Sequence, residues 1–234
     1  MTYGIIVAGG RGTRMNSSIP KQFMDIDGHP MLYYSMKAFE ESRCDAMLVV
    51  CGQAEDVETI ADGAGLKKYI GTIPGGAERY DSCYNGIKAI AGGFAMPDGE
   101  RHFAQADDIV LIHDAARPCV TPELINRMID AAEQYTAAVP VTRIKDTIVR
   151  PDSGSYDIID RNELRAVQTP QAFRYGILRA SYDALQTEAD KSKITDDAMV
   201  VNHMLHIDIK LIEGEESNIK VTTTEDMSRV RRTI

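Results

Sequence analysis

Cysteine is scarce in this chain: four residues, Cys44, Cys51, Cys83 and Cys119, with no C-x-x-C pair among them. Scattered thiols argue against a zinc site and for a reducing compartment, so a cytoplasmic location is expected. No apolar run approaches the ~20 residues that span a bilayer. The N-terminus enters an apolar run without the basic-then-apolar pattern of a signal peptide, and no membrane partner is expected. Positive charge is also short. Lys and Arg total 26 against 35 Asp and Glu, a net charge of −9, which argues against a nucleic-acid partner. No Gly-x-Ser-x-Gly elbow is present, and no cysteine sits in a recognisable base-paired context, so nucleophilic catalysis has no support. Internal repeats and low-complexity tracts are missing too. The 234 residues, 44% hydrophobic and 26% charged, suit an ordinary globular protein of one large or two small α/β domains.

Residues 8–22 are the stretch around which the rest is organised. They follow Ile5-Ile6-Val7, which reads as a buried strand. Gly9, Gly10 and Gly12 remove side chains where backbone must turn or approach a ligand. Two cations, Arg14 and Lys21, follow. A strand, a stripped loop and cations suit a phosphate site, in which backbone N–H groups cradle the anion. Met15 stands where a dinucleotide fingerprint needs its third glycine, and no Gly-Lys-Ser/Thr ending makes a Walker loop. A solvated glycine turn is the plainer alternative. In an acidic protein, a phosphate site must be a local basic cluster aided by a divalent metal.

Apolar β-rich runs recur at residues 3–7, 46–51, 69–73, 109–113, 137–141 and 207–212. Leu124, Ile125, Met128, Ile129 and Ala132 form a stripe at helical spacing behind a start at Thr121-Pro122-Glu123. Tyr80, Tyr84, Ile87 and Ile90 form another. Strands alternating with helices predict an α/β fold, a mostly parallel sheet covered on both faces. The turn-rich stretch 92–101 is short and is read as a loop. Residues 146–160 break the rhythm and read as strand, turn, strand, with Gly154 placed for a left-handed residue. An isolated two-stranded ribbon is marginal in water, so it needs its own domain or a second subunit to lie against.

Ile112-His113-Asp114-Ala115-Ala116-Arg117-Pro118 ends a buried strand, where ligands of open α/β sheets collect. An acid there, opposite a phosphate loop, suits Mg²⁺, which takes carboxylate and phosphate oxygens together. Alone, Asp114 and Arg117 read first as a helix-start acid and a surface ion pair. His113 reads as a structural histidine, with no second histidine at ligand spacing. Gly75 and Gly76 precede the Tyr80 helix, where bare backbone can face a flat base and Ser82 can add a hydroxyl; a tight turn is the alternative. Residues 218–222 read as a short strand on which Lys220 faces away from Ile219 and Val221, and an exposed strand lysine is usually solubilising. Thr195-Asp196-Asp197 reads first as a helix N-cap with acids matched to the dipole. Loop cations, a metal-binding acid and late cations together suit phosphoryl or nucleotidyl transfer.

Taken together, residues 8–22, 75–82, 113–118, Asp146-Thr147, Asp160-Arg161-Asn162, Gln168-Thr169-Pro170-Gln171, Thr195-Asp196 and 218–223 resemble the 2-C-methyl-D-erythritol 4-phosphate cytidylyltransferases of non-mevalonate isoprenoid biosynthesis. The resemblance runs nearly end to end. It implies a Rossmann-like nucleotidyltransferase fold in a single domain over residues 1–234, with a β-arm at about 143–165 that makes a homodimer. It implies CTP and Mg²⁺, a sugar-alcohol phosphate acceptor and release of pyrophosphate. By position, Arg14, Lys21, Arg161 and Lys220 are the implied catalytic cations and Asp114 the implied metal ligand. Ala8, Gly9, Gly10, Gly12, Gly76, Ser82, Ala115 and Arg117 are implied around the nucleotide. Thr147, Arg161, Thr195 and Lys220 are implied around the acceptor, and Thr169 is a further implied substrate contact. Ribitol 5-phosphate cytidylyltransferases are similar in the glycine loop, the His-Asp-x-x-Arg-Pro motif and the Asn-Ile-Lys segment, and offer the alternative acceptor. An inactive nucleotide-binding homologue is the alternative from another class. The presence of Arg14, Lys21, Asp114 and Lys220 argues against it.

Overall fold

A computed structural model describes residues 1–9, 19–96 and 99–234. The chain opens with β1 (Thr2–Val7), the short pair β2 (Asp25–Ile26) and β3 (His29–Pro30), and α1 (Met31–Glu41). There follow β4 (Ala46–Val50), α2 (Ala54–Ala64), β5 (Tyr69–Ile73) and α3 (Arg79–Gly92). A second short pair, β6 (Phe94–Ala95) and β7 (Arg101–His102), leads to β8 (Ile109–Asp114), α4 (Pro122–Tyr135) and β9 (Ala137–Arg143). The hairpin of β10 (Ile148–Asp152) and β11 (Ser155–Ile159) precedes β12 (Arg165–Val167) and β13 (Gln171–Arg174). Helices α5 (Tyr175–Leu185) and α6 (Asp197–Leu205), β14 (Lys210–Glu213) and α7 (Thr224–Val230) complete the order.

Strands β8, β1, β4 and β5 lie side by side and parallel. β13 runs antiparallel between β8 and β9, while β12 and β14 pair with β9 in antiparallel and parallel sense. The sheet is thus mostly parallel, and successive residues of each central strand feed opposite cores. Met47 and Val49 of β4 pack with α1, α2 and α4 on one face. Leu48 and Val50 pack with α3, α5 and α6 on the other. This period-2 division is why the central runs are apolar without interruption: both faces are buried. Helix α4 starts as its sequence predicts, with the Thr121 hydroxyl accepting the Leu124 N–H at 3.1 Å and Pro122 in the first turn.

Three expectations differ. The loop at 92–101 contains the β6–β7 pair. The last strand begins at Lys210, not residue 207. Residues 218–222 form no strand, because their bonds go to loops rather than to a ladder: Val221 N–H donates to Ala116 O at 2.8 Å, and the Asn218 side-chain amide donates to Thr169 O at 2.8 Å. Val221 is buried with Ile26, Met31, Cys119, Met227 and Val230 in a small third cluster, which presses this segment against the end of the sheet.

The hairpin is as expected, with paired residues from Ile148↔Ile159 to Asp152↔Ser155 and Gly154 at φ 84°. Directly opposed residues share a face. Val149, Pro151, Tyr156 and Ile158 therefore form one face, and it is exposed, Ile158 by 70% and Tyr156 by 61%.

Candidate active site

The register of β1 against β8 pairs Val7 with Asp114, so the start of the glycine loop and the acid leave the sheet side by side. Backbone bonds extend this alignment past the strands: Ala8 N–H donates to Val50 O at 2.9 Å and Ala115 N–H to Val7 O at 3.0 Å. Over these carboxyl ends opens a cavity of about 390 Å³, lined by Val7, Ala8, Gly9, Lys21, Gln22, Gly76, Ala77, Glu78, Arg79, Ser82, Asp114, Ala115, Ala116 and Lys220. Its size is in the range of a small-molecule site.

Asp114 is the electrostatic centre. Arg79 Nε donates to its Oδ1 at 2.9 Å, and Lys220 Nζ donates to its Oδ2 at 2.6 Å. Burial pushes this carboxyl's pKa up, but Arg79 and then Lys220 outweigh it and hold it well below the usual carboxylate range. The two cations are not equivalent. Arg79 reaches back to a second carboxylate, Asp197 Oδ2, at 2.7 Å, and the Asp197 side chain has no exposed surface. The Lys220 side chain is 43% exposed. Burial, then Asp197, keeps the Tyr182 phenol protonated far above its ordinary range, and its O–H donates to Asp197 Oδ1 at 2.5 Å.

Lys21 Nζ donates to Val221 O at 2.8 Å, tying the end of the glycine loop to the segment that carries Lys220. Gly76 cannot be replaced without movement: a Cβ there would stand 2.2 Å from Asp81 Cβ. Its N–H donates to Ser82 Oγ at 3.0 Å, which shapes the wall at the start of α3. That helix begins with a capping box between Glu78 and Asp81.

His113 is structural, as its sequence context suggests. Nε2 lies 3.2 Å from Arg117 O, a pure acceptor, so Nε2 carries the proton. Nδ1 then accepts from the Thr169 hydroxyl at 3.0 Å, and that hydroxyl oxygen accepts the Asp114 N–H at 3.1 Å. Burial lowers the His113 pKa to about 4, so the ring is neutral at pH 7.

Of the residues singled out in the sequence, Ala8, Gly9, Lys21, Gly76, Ser82, Asp114, Ala115 and Lys220 line one cavity. Gly10, Gly12 and Arg14 lie outside the described residues. Thr169 and Arg117 stand behind the cavity instead of lining it. The Arg117 guanidinium donates to Asn218 O at 2.8 Å and Val167 O at 3.2 Å, so it anchors the Lys220 segment. Thr195 is exposed, two residues before Asp197, and the N-cap of α6 is Asp196, whose carboxylate accepts the Met199 N–H at 2.8 Å. Arg161 and Thr147 do not line this cavity. The Arg161 guanidinium donates to Lys145 O, and it borders a smaller hollow with Arg143 and Arg165. Sequence reasoning missed Arg79 and Asp197 as a pair. The available signal was an arginine at the helix start that follows Gly75-Gly76-Ala77-Glu78, and an acid at another helix start, each with a plainer local explanation.

A mostly parallel sheet with a glycine loop at the end of β1, and a cation-clamped acid at the end of β8, defines a Rossmann-like nucleotidyltransferase. The family model described as IspD, 2-C-methyl-D-erythritol 4-phosphate cytidylyltransferase, matches residues 2–233, and the chain belongs to this family. A relative of that name from Lachnoclostridium phytofermentans is 40% identical, covering 95% of this chain and 91% of its own. Another from Lachnospira eligens is 38% identical over 97% and 96% of the two chains. Among solved structures, the 4-diphosphocytidyl-2C-methyl-D-erythritol synthase of Anaerococcus prevotii superposes with a TM-score of 0.79 at 26% identity, over 99% of this chain and 94% of that one. The 2-C-methyl-D-erythritol 4-phosphate cytidylyltransferase of Francisella tularensis gives 0.79 at 25% identity, over 100% and 99%. The chain is an enzyme of isoprenoid biosynthesis, a cytidylyltransferase, and these relatives do not favour the ribitol alternative.

Proposed function

We propose that the cavity binds CTP beside 2-C-methyl-D-erythritol 4-phosphate and joins them, forming 4-diphosphocytidyl-2-C-methyl-D-erythritol and pyrophosphate. The observation that carries this reading is Asp114, clamped between Arg79 and Lys220 on the same cavity as Lys21. Donor and acceptor are both polyanions, so their repulsion must be cancelled before they can meet. An oxygen of the acceptor phosphate attacks the α-phosphorus of CTP, and the bond to the departing pyrophosphate breaks in line. Lys21 and Arg14 neutralise the triphosphate, and Lys220 bridges toward the acceptor. Gly9, Gly76 and Ser82 leave backbone and a hydroxyl to face the nucleoside. Cations placed in advance are worth more in the transition state, where charge on the leaving phosphate grows.

Among the described residues no group of three His, Cys, Asp or Glu could cage a metal. Asp114 alone suits a magnesium ion that arrives with the nucleotide, because Mg²⁺ usually takes one or two carboxylates plus phosphate oxygens and water. Its carboxylate oxygens each accept one bond and retain acceptor capacity. Bound there, Mg²⁺ would neutralise phosphate charge.

The exposed face of the β10–β11 arm suits a second copy of the chain. A two-fold exchange of arms would bring Arg161 and Thr147 to the partner's cavity, since neither lines its own. The reading is tested by pyrophosphate release from CTP and Mg²⁺ with methylerythritol phosphate or ribitol phosphate as acceptor. Release with the first and little with the second is expected. Preference for ribitol phosphate would replace the acceptor, and release with neither would remove the reaction.

A further inference from the structure

We infer that Asp197, held by Tyr182, is a positioning residue: it fixes the Arg79 guanidinium on Asp114 Oδ1, so that Lys220 is the one cation of the pair left to move toward phosphate. The role rests on the transfer reaction above, and the geometry behind it is a chain of alternating charge. Tyr182 O–H donates to Asp197 Oδ1 at 2.5 Å, Arg79 bridges Asp197 at 2.7 Å and Asp114 at 2.9 Å, and Lys220 closes on Asp114 at 2.6 Å.

Three features set Asp197 apart from an ordinary helix-start acid. Its side chain is fully buried, whereas an acid that merely matches a helix dipole sits in solvent. The cap itself is made by the preceding residue, Asp196, so Asp197 is not needed for it. The start of α6 is also strapped to the sheet. Gln171 on β13 donates its amide N–H to Asp196 at 3.1 Å and accepts the Ala198 N–H at 2.9 Å, on either side of Asp197 in sequence. Asp197 is therefore a fixed point, and Arg79 is pinned to it.

The consequence is a division of labour on one carboxylate. With both ends of Arg79 bound, its charge lowers the cost of keeping Asp114 ionised at a buried strand end but stays in place. Among the described residues the half-exposed Lys220 has no second carboxylate, and it can leave Oδ2 for a ligand oxygen. Without Asp197, the guanidinium would keep Asp114 as its one carboxylate among the described residues and could swing into the cavity or draw Asp114 with it. Uniform binding of CTP would change little, while alignment in the transition state would suffer.

Two readouts on the intact protein decide this. The first is NMR of arginine Nε–H groups, with the Arg79 signal identified by its loss in Arg79→Lys. That proton should be protected in the parent and should exchange about tenfold faster or more in Asp197→Asn. Exchange at the parental rate in Asp197→Asn overturns the proposal whether or not the protein transfers CMP. The second is kinetic. Asp197→Asn should lower kcat by about 10- to 100-fold, as for other residues behind a site, with KM for CTP within about threefold of the parent. In the Arg79→Lys background the same substitution should cost under about threefold, because the two act as a unit. A full, additive loss in that background would mean that Asp197 merely supports the fold. Tyr182→Phe keeps the buried ring and removes only the donor. It should follow Asp197→Asn in both readouts with a smaller effect, and it decides the matter alone should Asp197→Asn not fold. A parent that releases no pyrophosphate would sink the transfer reading, while the exchange rates would still judge the pinning of Arg79.

Discussion

The cavity over β1 and β8 and the β10–β11 arm treat charge and apolar surface in opposite ways. Around the cavity, Asp114, Arg79 and Asp197 are paired within the chain, and the strands beneath are buried on both faces. On the arm, Val149, Tyr156 and Ile158 lie exposed on a ribbon of two strands. Buried charge without a partner is so costly that Asp114 and Asp197 are matched by the chain's own cations. Exposed apolar surface costs far less, and an element can keep it until a partner covers it. The buried charges of the first region are matched on folding, and the apolar face of the second is, in the dimer proposed above, left for association.

The sharpest way to break this contrast is at the arm. Ile158→Asp places a charge where the partner would sit. Burial of one isoleucine is worth about 1.5–3 kcal/mol, and a two-fold interface counts it twice, so about 3–6 kcal/mol of association is at stake. Sedimentation equilibrium should show a dimer dissociation constant raised by about 10²- to 10⁴-fold, with the circular dichroism of the fold unchanged. A parent that sediments as a monomer would end the two-region account.

The second test probes the first region through His113. Its folded-state pKa of about 4 lies below the ordinary 6.5 because burial penalises the charged ring. Between those values the unfolded chain binds more protons, so stability rises with pH across the window and is lost as pH falls from 6.5 toward 4. The full effect is on the order of 3 kcal/mol. Urea unfolding at several pH values should show that slope in the parent and a flatter one in His113→Gln. Equal slopes would mean that the ring is not held neutral. No such difference should accompany Ile158→Asp.

The smallest effect, a factor of two, joins the regions. Lys21→Ala and Arg161→Ala chains, each expected to be inactive alone under the proposed roles, are mixed and allowed to exchange subunits. If Arg161 serves the partner's site, a mixed dimer has one site with both lesions and one with neither, and about half the parental activity per mixed dimer returns. If it serves its own chain, mixing restores nothing despite proven exchange.

Much of this was legible in the residues alone. Uninterrupted apolar runs announced strands buried on both faces, because a parallel sheet covered by helices demands them. The Thr121-Pro122-Glu123 start and Gly154 announced a helix and a hairpin, because capping and left-handed backbone are local requirements. Local rules also placed the glycine loop and Asp114 at strand ends. They misled at residues 218–222, where alternation suggested a ladder and the bonds went instead to loops.

What only the tertiary structure decided is which charges meet. Arg79 and Asp197 stand 118 positions apart, and Lys220 stands 106 positions from Asp114. No periodicity or spacing encodes such a pair, because each partner satisfies a local rule by itself: a turn arginine, a helix-start acid, a solubilising lysine. The pairing appears when β8, α3, α6 and the C-terminal segment converge on one buried point. There, desolvation makes the match obligatory, and near the surface it would be worth little.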